Sequence, residues 1–414
     1  MRFALLLLTT VLATPTLAAT PEAVTQTYAN IALATYQDSL TTTQTLQAAI
    51  AALIAEPSDE TLAVAKTAWL AARVPYQQSE VFRFGNPIVD DWEGRVNAWP
   101  LDEGLIDYVA PTEAGENVLA LLNVIATPTF TLSGTEIDAT TITPSLIATT
   151  LHEADGIEAN VASGYHAIEF LLWGQDLNGT GPGAGNRPYT DFLQDDACTG
   201  GNCGRRAAYL QAAADLLVAD LQEMTVAWSD TGPARAAVTT DPTAGLLAAL
   251  TGMGSLSYGE LAGERMKLGL LLNDPEEEHD CFSDNTHNSH FFDGVGIQNV
   301  YLGRYTRIDG SVVEGPALAD LVAAADPALA AQLAADLDAS VTALGAIKSA
   351  AEGGVAYDQM LAPGNVEGEA LIMGGVNALV AQTASIDRAV TALGLSTIGF
   401  EGSDSLDNPN AIFQ

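Results

Sequence analysis

The residues with most chemistry to offer are five histidines, and they fall in two windows of the chain. The first window holds His152 and, in Gly164-Tyr165-His166-Ala167-Ile168-Glu169-Phe170-Leu171-Leu172-Trp173-Gly174, the pair His166 and Glu169. Residues three apart share a helix face, so this imidazole and carboxylate can hold one cation together. The run Phe170 to Trp173 continues the helix as a buried segment, where a charged pair needs a partner. A core histidine bridged to Glu169 with no metal is the alternative.

The second window runs from Asp274 to His290 and carries His279, His287 and His290 among acids and amides. These three histidines make a second candidate metal site, with His287 and His290 at helical spacing; a solvated acidic loop is the other reading. Just before it, Glu260 and Glu264 lie one turn apart on a helix expected over 257–272, with Arg265 beside them. They either face a site or pair with Lys267 and its neighbours. Trp69, Arg73, Gln77 and Glu80 follow one another at intervals of four, four and three. If the chain stays helical through Pro75, Arg73 and Glu80 point the same way; otherwise they form a surface ion pair. Of three cysteines, Cys198 and Cys203 are close enough in sequence for a local disulfide. Cys281 is left as a buried thiol or a soft ligand beside His279.

The elements that must position these groups read as helices almost throughout. Thr20-Pro21-Glu22 supplies an N-cap, a proline at the first helical position and an acidic first turn, and the helix it opens runs to Glu56-Pro57. Ser58 caps the next, whose apolar stripe is Leu62, Ala65, Trp69 and Ala72; Pro75 is expected to kink or end it. Further stripes run through Tyr209 to Trp228, Leu329 to Ile347 and Leu371 to Leu393. Strand-like alternation is confined to about 129–142. Long amphipathic helices joined by turns imply an all-α protein of packed bundles. Length favours two domains, and the glycine-rich interval 179–185 followed by the cysteines puts their boundary near 195–205, giving domains 20–198 and 199–414.

Fifteen Lys and Arg against 52 Asp and Glu give a net charge of −37. Such a field repels phosphate backbones, which excludes a nucleic-acid partner, and it concentrates cations. Met1-Arg2, the apolar Phe3 to Leu12 and the small residues around Ala18-Ala19 read as a secretory signal over residues 1–19. Export to the periplasm or outer surface follows, with no transmembrane segment after cleavage.

Together the segments Trp69 to Gly85, Asn160 to Asp176, Gly259 to Met266 and Glu276 to His290 resemble the imelysin-like family, named for an insulin-cleaving metallopeptidase and including iron-regulated envelope proteins. The family's Gly-x-His-x-x-Glu signature falls on Gly164, His166 and Glu169, and the resemblance spans all but the signal peptide and far C-terminus. It implies two four-helix-bundle-like domains with the signature in the cleft between them, a cell-envelope location and a link to iron acquisition. An envelope iron-uptake or redox partner protein would accompany that role.

The reading favoured here is a divalent or trivalent metal ion, iron or zinc, held by His166, Glu169, Glu80 and Glu264. Arg73, Tyr165, Trp173, Glu260 and Arg265 would line the site. The alternative is an imelysin-type zinc metallopeptidase, in which Glu169 belongs to the catalytic machinery and Glu80 or Glu264 is the candidate base. No His-Glu-x-x-His arrangement is present to supply two imidazoles and a base on one helix. A purely structural or adhesive helical protein is the third reading.

Overall fold

A computed structural model describes residues 19–111 and 117–413; the signal segment expected over 1–19 lies outside them, apart from its last residue. Helix α1, Pro21–Ala55, begins as its sequence dictates. The Thr20 hydroxyl accepts from the Ala23 N–H at 3.3 Å, Pro21 occupies the first turn and Glu22 faces the dipole. Helix α2, Asp59–Gln77, is capped by Ser58 and continues past Pro75 before a tight turn over Glu80–Phe82. The chain thus remains helical through the proline for two further residues.

Next come α3, Pro87–Asn97, α4, Gly164–Trp173, and α5, Cys203–Ala227. Helix α6, Pro242–Ser255, runs on without a break through a π-helical stretch, Leu256–Leu268, to Leu272. The last long helices are α7, Thr286–Leu302, α8, Pro327–Glu352, and α9, Val366–Ala392. Two short antiparallel hairpins interrupt this order. Thr129–Leu132 pairs with Thr135–Asp138, inside the span where alternation is expected. Its two-residue turn places Ser133 and Gly134 at φ 47° and 80°, the left-handed pair that suits strand twist. The other, Arg304–Thr306 with Val312–Glu314, has strands of three residues, too short to show a period in sequence. It matters to packing because Tyr305 and Arg307 both bind the buried Asp38 of α1, at 2.9 and 2.7 Å.

Packing sorts the helices into two groups. Helices α1, α2, α4 and α5 pack on one another, while α8 and α9 pack together with α7 and the π-helical stretch. Contacts of α2 with α7 and of α1 with α6 join the groups. The expected boundary at 198 falls inside the first group, because α5 lays Tyr209, Leu210, Ala213, Leu217 and Leu221 against it and carries Trp228 into an aromatic cluster with Tyr28, Tyr36 and Phe82. The loop that looked like a linker is instead tied down. Cys198 and Cys203 are disulfide-bonded, and Arg187 and Arg206 both clamp the buried Asp107, at 2.8 and 2.6 Å. Among the described residues, no helix is long and apolar enough to cross a membrane.

Candidate metal centre

Every residue of α4 is buried, and the sequence explains how a helix start can be pressed so deep. Gly164 has φ +80°, and a Cβ there would lie 2.3 Å from the Val96 carbonyl oxygen at the end of α3. Only glycine tolerates both the backbone angle and that approach. The signature glycine therefore lets α4 abut α3, whose last residue, Asn97, accepts from Arg73 at 2.6 Å. On the other side α2 brings Trp69, whose indole N–H donates to the Tyr165 carbonyl at 3.0 Å, and Arg73, stacked 5.0 Å from the Tyr165 ring.

The third contributor is the loop before α7. Asp280 folds back on that helix's first turn: its backbone N–H donates to the Thr286 hydroxyl, and its Oδ2 accepts from Asn285 and Ser289. This leaves Oδ1 facing inward, 2.7 Å from Arg73 Nη2. One donor atom from each of His166, His279 and Asp280 lies within 4.8 Å of the other two, and among the described residues this is the only such group of three or more His, Cys, Asp or Glu. The two imidazole centroids are 4.8 Å apart, and all three residues are buried.

The electrostatics keep both rings neutral. Burial first, and then Arg73, push His166 down to about 3. Burial, Arg265 and His166 hold His279 well below its ordinary value. Burial raises Asp280, but Arg73, with the Ser289 and Asn285 donors, outweighs it and holds the carboxyl below its usual range. Glu169 is raised well above the carboxylate range by burial and by Asp280, against the opposing pull of Ser283 and Arg73. Glu169 Oε1 accepts from the Ser283 N–H and hydroxyl at 3.0 and 2.6 Å, and its Oε2 sits 3.1 Å from His166 Nδ1. The other ring nitrogen of His166, Nε2, is buried and has no hydrogen-bond partner. His279 Nδ1 meets only distant donors, Gln77 at 3.3 Å and Arg73 at 3.5 Å. Two imidazoles and a carboxylate with lone pairs to spare are a donor set that iron(II) or zinc prefers. The residues present fit such an ion.

The sequence-predicted residues divide around this centre. His166, Glu169 and Arg73 meet there, with Tyr165 behind Arg73, and Trp173 packs on Trp69 at 5.4 Å at the far end of α4. His279, expected to join His287 and His290, joins His166 instead, because the fold-back at Asp280 sends it away from α7. His287 hydrogen-bonds Asn288, and His290 packs edge-on against Tyr357 at 5.0 Å. Cys281 is a free, half-buried thiol outside the donor group.

Glu80 and Glu264 lie elsewhere. Glu80 pairs with Arg265 at 2.7 Å, and Arg265 also holds Glu260 at 2.8 Å and Asp293 at 3.1 Å. Residues five apart on an α-helix are about 140° from one another; the wider π-helical turn is what swings Glu260 and Arg265 onto one face. Glu264 then faces the C-terminal segment, in a recess shared with Ser403, Asp404 and Asp407.

Sequence reasoning missed Asp280. The signal available was the apolar Cys281-Phe282 that follows His279 and Asp280 and draws an otherwise acidic loop into the interior; Phe282 is buried against Phe170 at 5.4 Å. Beside the centre, Trp99 lies edge-on to His279 at 5.9 Å and walls a cleft of about 320 Å³ lined also by Glu103, Glu276, Glu277 and Cys281.

Fold and site define an all-α protein of packed helical bundles enclosing a histidine and carboxylate centre. The chain belongs to the imelysin family, whose model, described as Imelysin, matches residues 32–386. It is similar in structure to a protein of Parabacteroides distasonis ATCC 8503 described as an iron-regulated protein A precursor, with a TM-score of 0.64, 21% identity, and coverage of 92% of this chain and 97% of that one. It is also similar to an imelysin-like protein of Psychrobacter arcticum 273-4, with a TM-score of 0.52, 15% identity, and coverage of 93% and 100%. No curated protein matches the sequence significantly.

Proposed function

We propose that this protein is an exported, iron-linked member of its family that binds a transition-metal cation, iron or zinc, through His166, His279 and Asp280. The observation that carries this reading is the convergence of the three donors within 4.8 Å in a buried place where both imidazoles stay neutral. Glu169 orients His166 through Nδ1, and Ser283 in turn holds Glu169. Arg73 fixes Asp280 at 2.7 Å, and with both rings neutral and Glu169 held in its protonated form by burial, an arriving cation can displace that proton. The acids of the neighbouring cleft, together with the −37 net charge, favour the approach of cations. Iron as the cargo, an envelope location and a partner protein of iron uptake or electron transfer are the parts of this reading that rest on the resemblance and on the N-terminal pattern.

Calorimetric titration of the chelator-treated protein with iron(II), kept anaerobic, and with zinc tests the assignment. His166→Ala and His279→Ala each lower affinity at least about 100-fold, whereas unchanged binding in both removes it. The same donor set with Glu169 nearby also suits a zinc peptidase, since zinc supplies an activated water where three ligands leave a position open. Yet His166, His279 and Asp280 are at most 1% exposed, which keeps a polypeptide carbonyl out of reach. Cleavage of an unfolded polypeptide that is sensitive to chelator and abolished by Glu169→Gln would overturn that preference.

A further inference from the structure

On the far side of the loop that carries His279 and Asp280, four carboxylates from three parts of the chain converge with no cation among the charged groups that act on them most strongly. Asp176 follows the signature helix, Glu278 and Asp284 belong to the 274–285 loop, and Asp358 begins the short helix Tyr357–Leu361 that packs against α9. The charged groups acting most strongly on Glu278 are Asp358, Asp284 and Asp176, all acidic. Those acting on Asp284 are Asp358 and Asp176. Elsewhere in the interior, buried carboxylates sit against arginine: Asp280 on Arg73, Asp107 on Arg187 and Arg206, Glu80 on Arg265.

What points to a ligand is the state of the oxygens. Glu278 is 1% and Asp358 2% exposed, and no oxygen of either carboxylate has a well-aligned hydrogen-bond donor, although the Thr286 hydroxyl eases Glu278 and the Gln359 N–H eases Asp358; Asp284 Oδ1 is buried without a partner as well. Glu278, Asp358 and Asp176 line one small cavity, with about 10 Å³ open to the centre of a water-sized body. That is room for a single ion or water and for no larger molecule. Buried carboxylate oxygens left without donors cost several kcal/mol unless something positive meets them.

We propose that this cavity is a second cation site, for a hard divalent ion of the calcium class, built from Glu278, Asp358 and Asp176, with Asp284 adding negative charge nearby. The carboxylates that line the cavity select a hard cation over the softer ions that suit His166 and His279, although the Cys281 thiol also stands at its wall. Bound there, the ion ties the loop after α4 and the 274–285 loop to the C-terminal helices, and so braces the segment that presents His279 and Asp280. This site stands independently of the transition-metal reading, since none of the three carboxylates that line it belongs to that centre.

The test is thermal unfolding and calorimetry of the chelator-treated full chain with calcium chloride as the only added metal. Calcium raises the wild-type Tm and titrates as one site. Asp358→Asn loses the calcium response at least tenfold, and without calcium it melts higher than wild type, because one uncompensated buried charge is gone. A merely misfolded variant would melt lower, so the two effects are distinguishable. His166→Ala keeps the calcium response. The proposal is overturned if calcium up to millimolar concentration leaves the wild-type Tm unmoved, or if Asp358→Asn and Glu278→Gln both bind calcium like wild type.

Discussion

Two buried polar centres lie within the same interior, and they differ in what their atoms leave undone. Around Arg265, the carboxylates of Glu80, Glu260 and Asp293 each receive a guanidinium N–H within 3.1 Å. Arg83 adds a second guanidinium to Glu93 and Glu260. No imidazole takes part, and every carboxylate there is held by a guanidinium, with only Asp293 Oδ1 left over, in an interhelical clamp joining the turn after α2, the π-helical stretch and α7. Around His166 the charges are fewer, but lone pairs remain: an idle Nε2 on His166 and a His279 whose nearest donors stand at the edge of hydrogen-bond range. The amount of buried charge is a poor guide to a ligand site; unspent lone pairs on neutral rings are a better one.

This contrast breaks most decisively at Arg265. Arg265→Ala strands Glu80 and Asp293 and is expected to cost about 3–5 kcal/mol of stability in denaturant unfolding, while metal affinity of the folded fraction stays within a few-fold of wild type. A large loss of affinity with little loss of stability would invert the roles assigned to the two centres.

The next effect is pH-dependent and is read at Glu93 of the clamp. Burial, helped by Glu80 and Glu260 and opposed by Arg83, raises Glu93 to about 7. A carboxyl whose pKa is higher folded than unfolded binds its proton more tightly in the native state. Its stabilising contribution is therefore complete below about pH 4.5 and lost as pH rises through about 7. Glu93→Gln should melt above wild type at pH 8, by roughly 1–3 kcal/mol, and the gap should close towards pH 4.5. A gap that grows on acidification would contradict the sign.

The smallest effect is expected at Glu264. Because it faces the C-terminal segment rather than either centre, Glu264→Ala should change stability by no more than about 0.5 kcal/mol and leave metal titration unaltered. A weakened metal affinity in that variant would restore it to the ligand set.

Much of this architecture is written in local sequence. Thr20-Pro21-Glu22 caps α1 as read, the alternation near Thr129 is a hairpin, and the apolar run that follows His166 and Glu169 marks the buried helix, while Gly164 is legible only through the family resemblance. Faces of helices follow from periodicity; depth and partner do not. Nothing local says which of 52 acids will meet Arg73, since Asp280 arrives from a loop about 200 residues away in sequence whose course is set by capping α7. Glu80 and Glu264 were plausible ligands by helix geometry, but the π-helical turn moves the register after Leu256 and gives Glu260, not Glu264, the inward face. Likewise α5 begins after a glycine-rich, disulfide-closed loop that looks like a linker, yet its apolar face matches α1 and keeps it in the first bundle.

The most direct test of the central claim is anomalous diffraction at the zinc or iron absorption edge from crystals of the protein loaded with that metal. The account predicts a peak within bonding distance of the His166 and His279 imidazoles and the Asp280 carboxylate, absent from crystals of His166→Ala. A peak at Glu80 or Glu264 with that group bare, or no ordered peak in metal-saturated crystals, would contradict it.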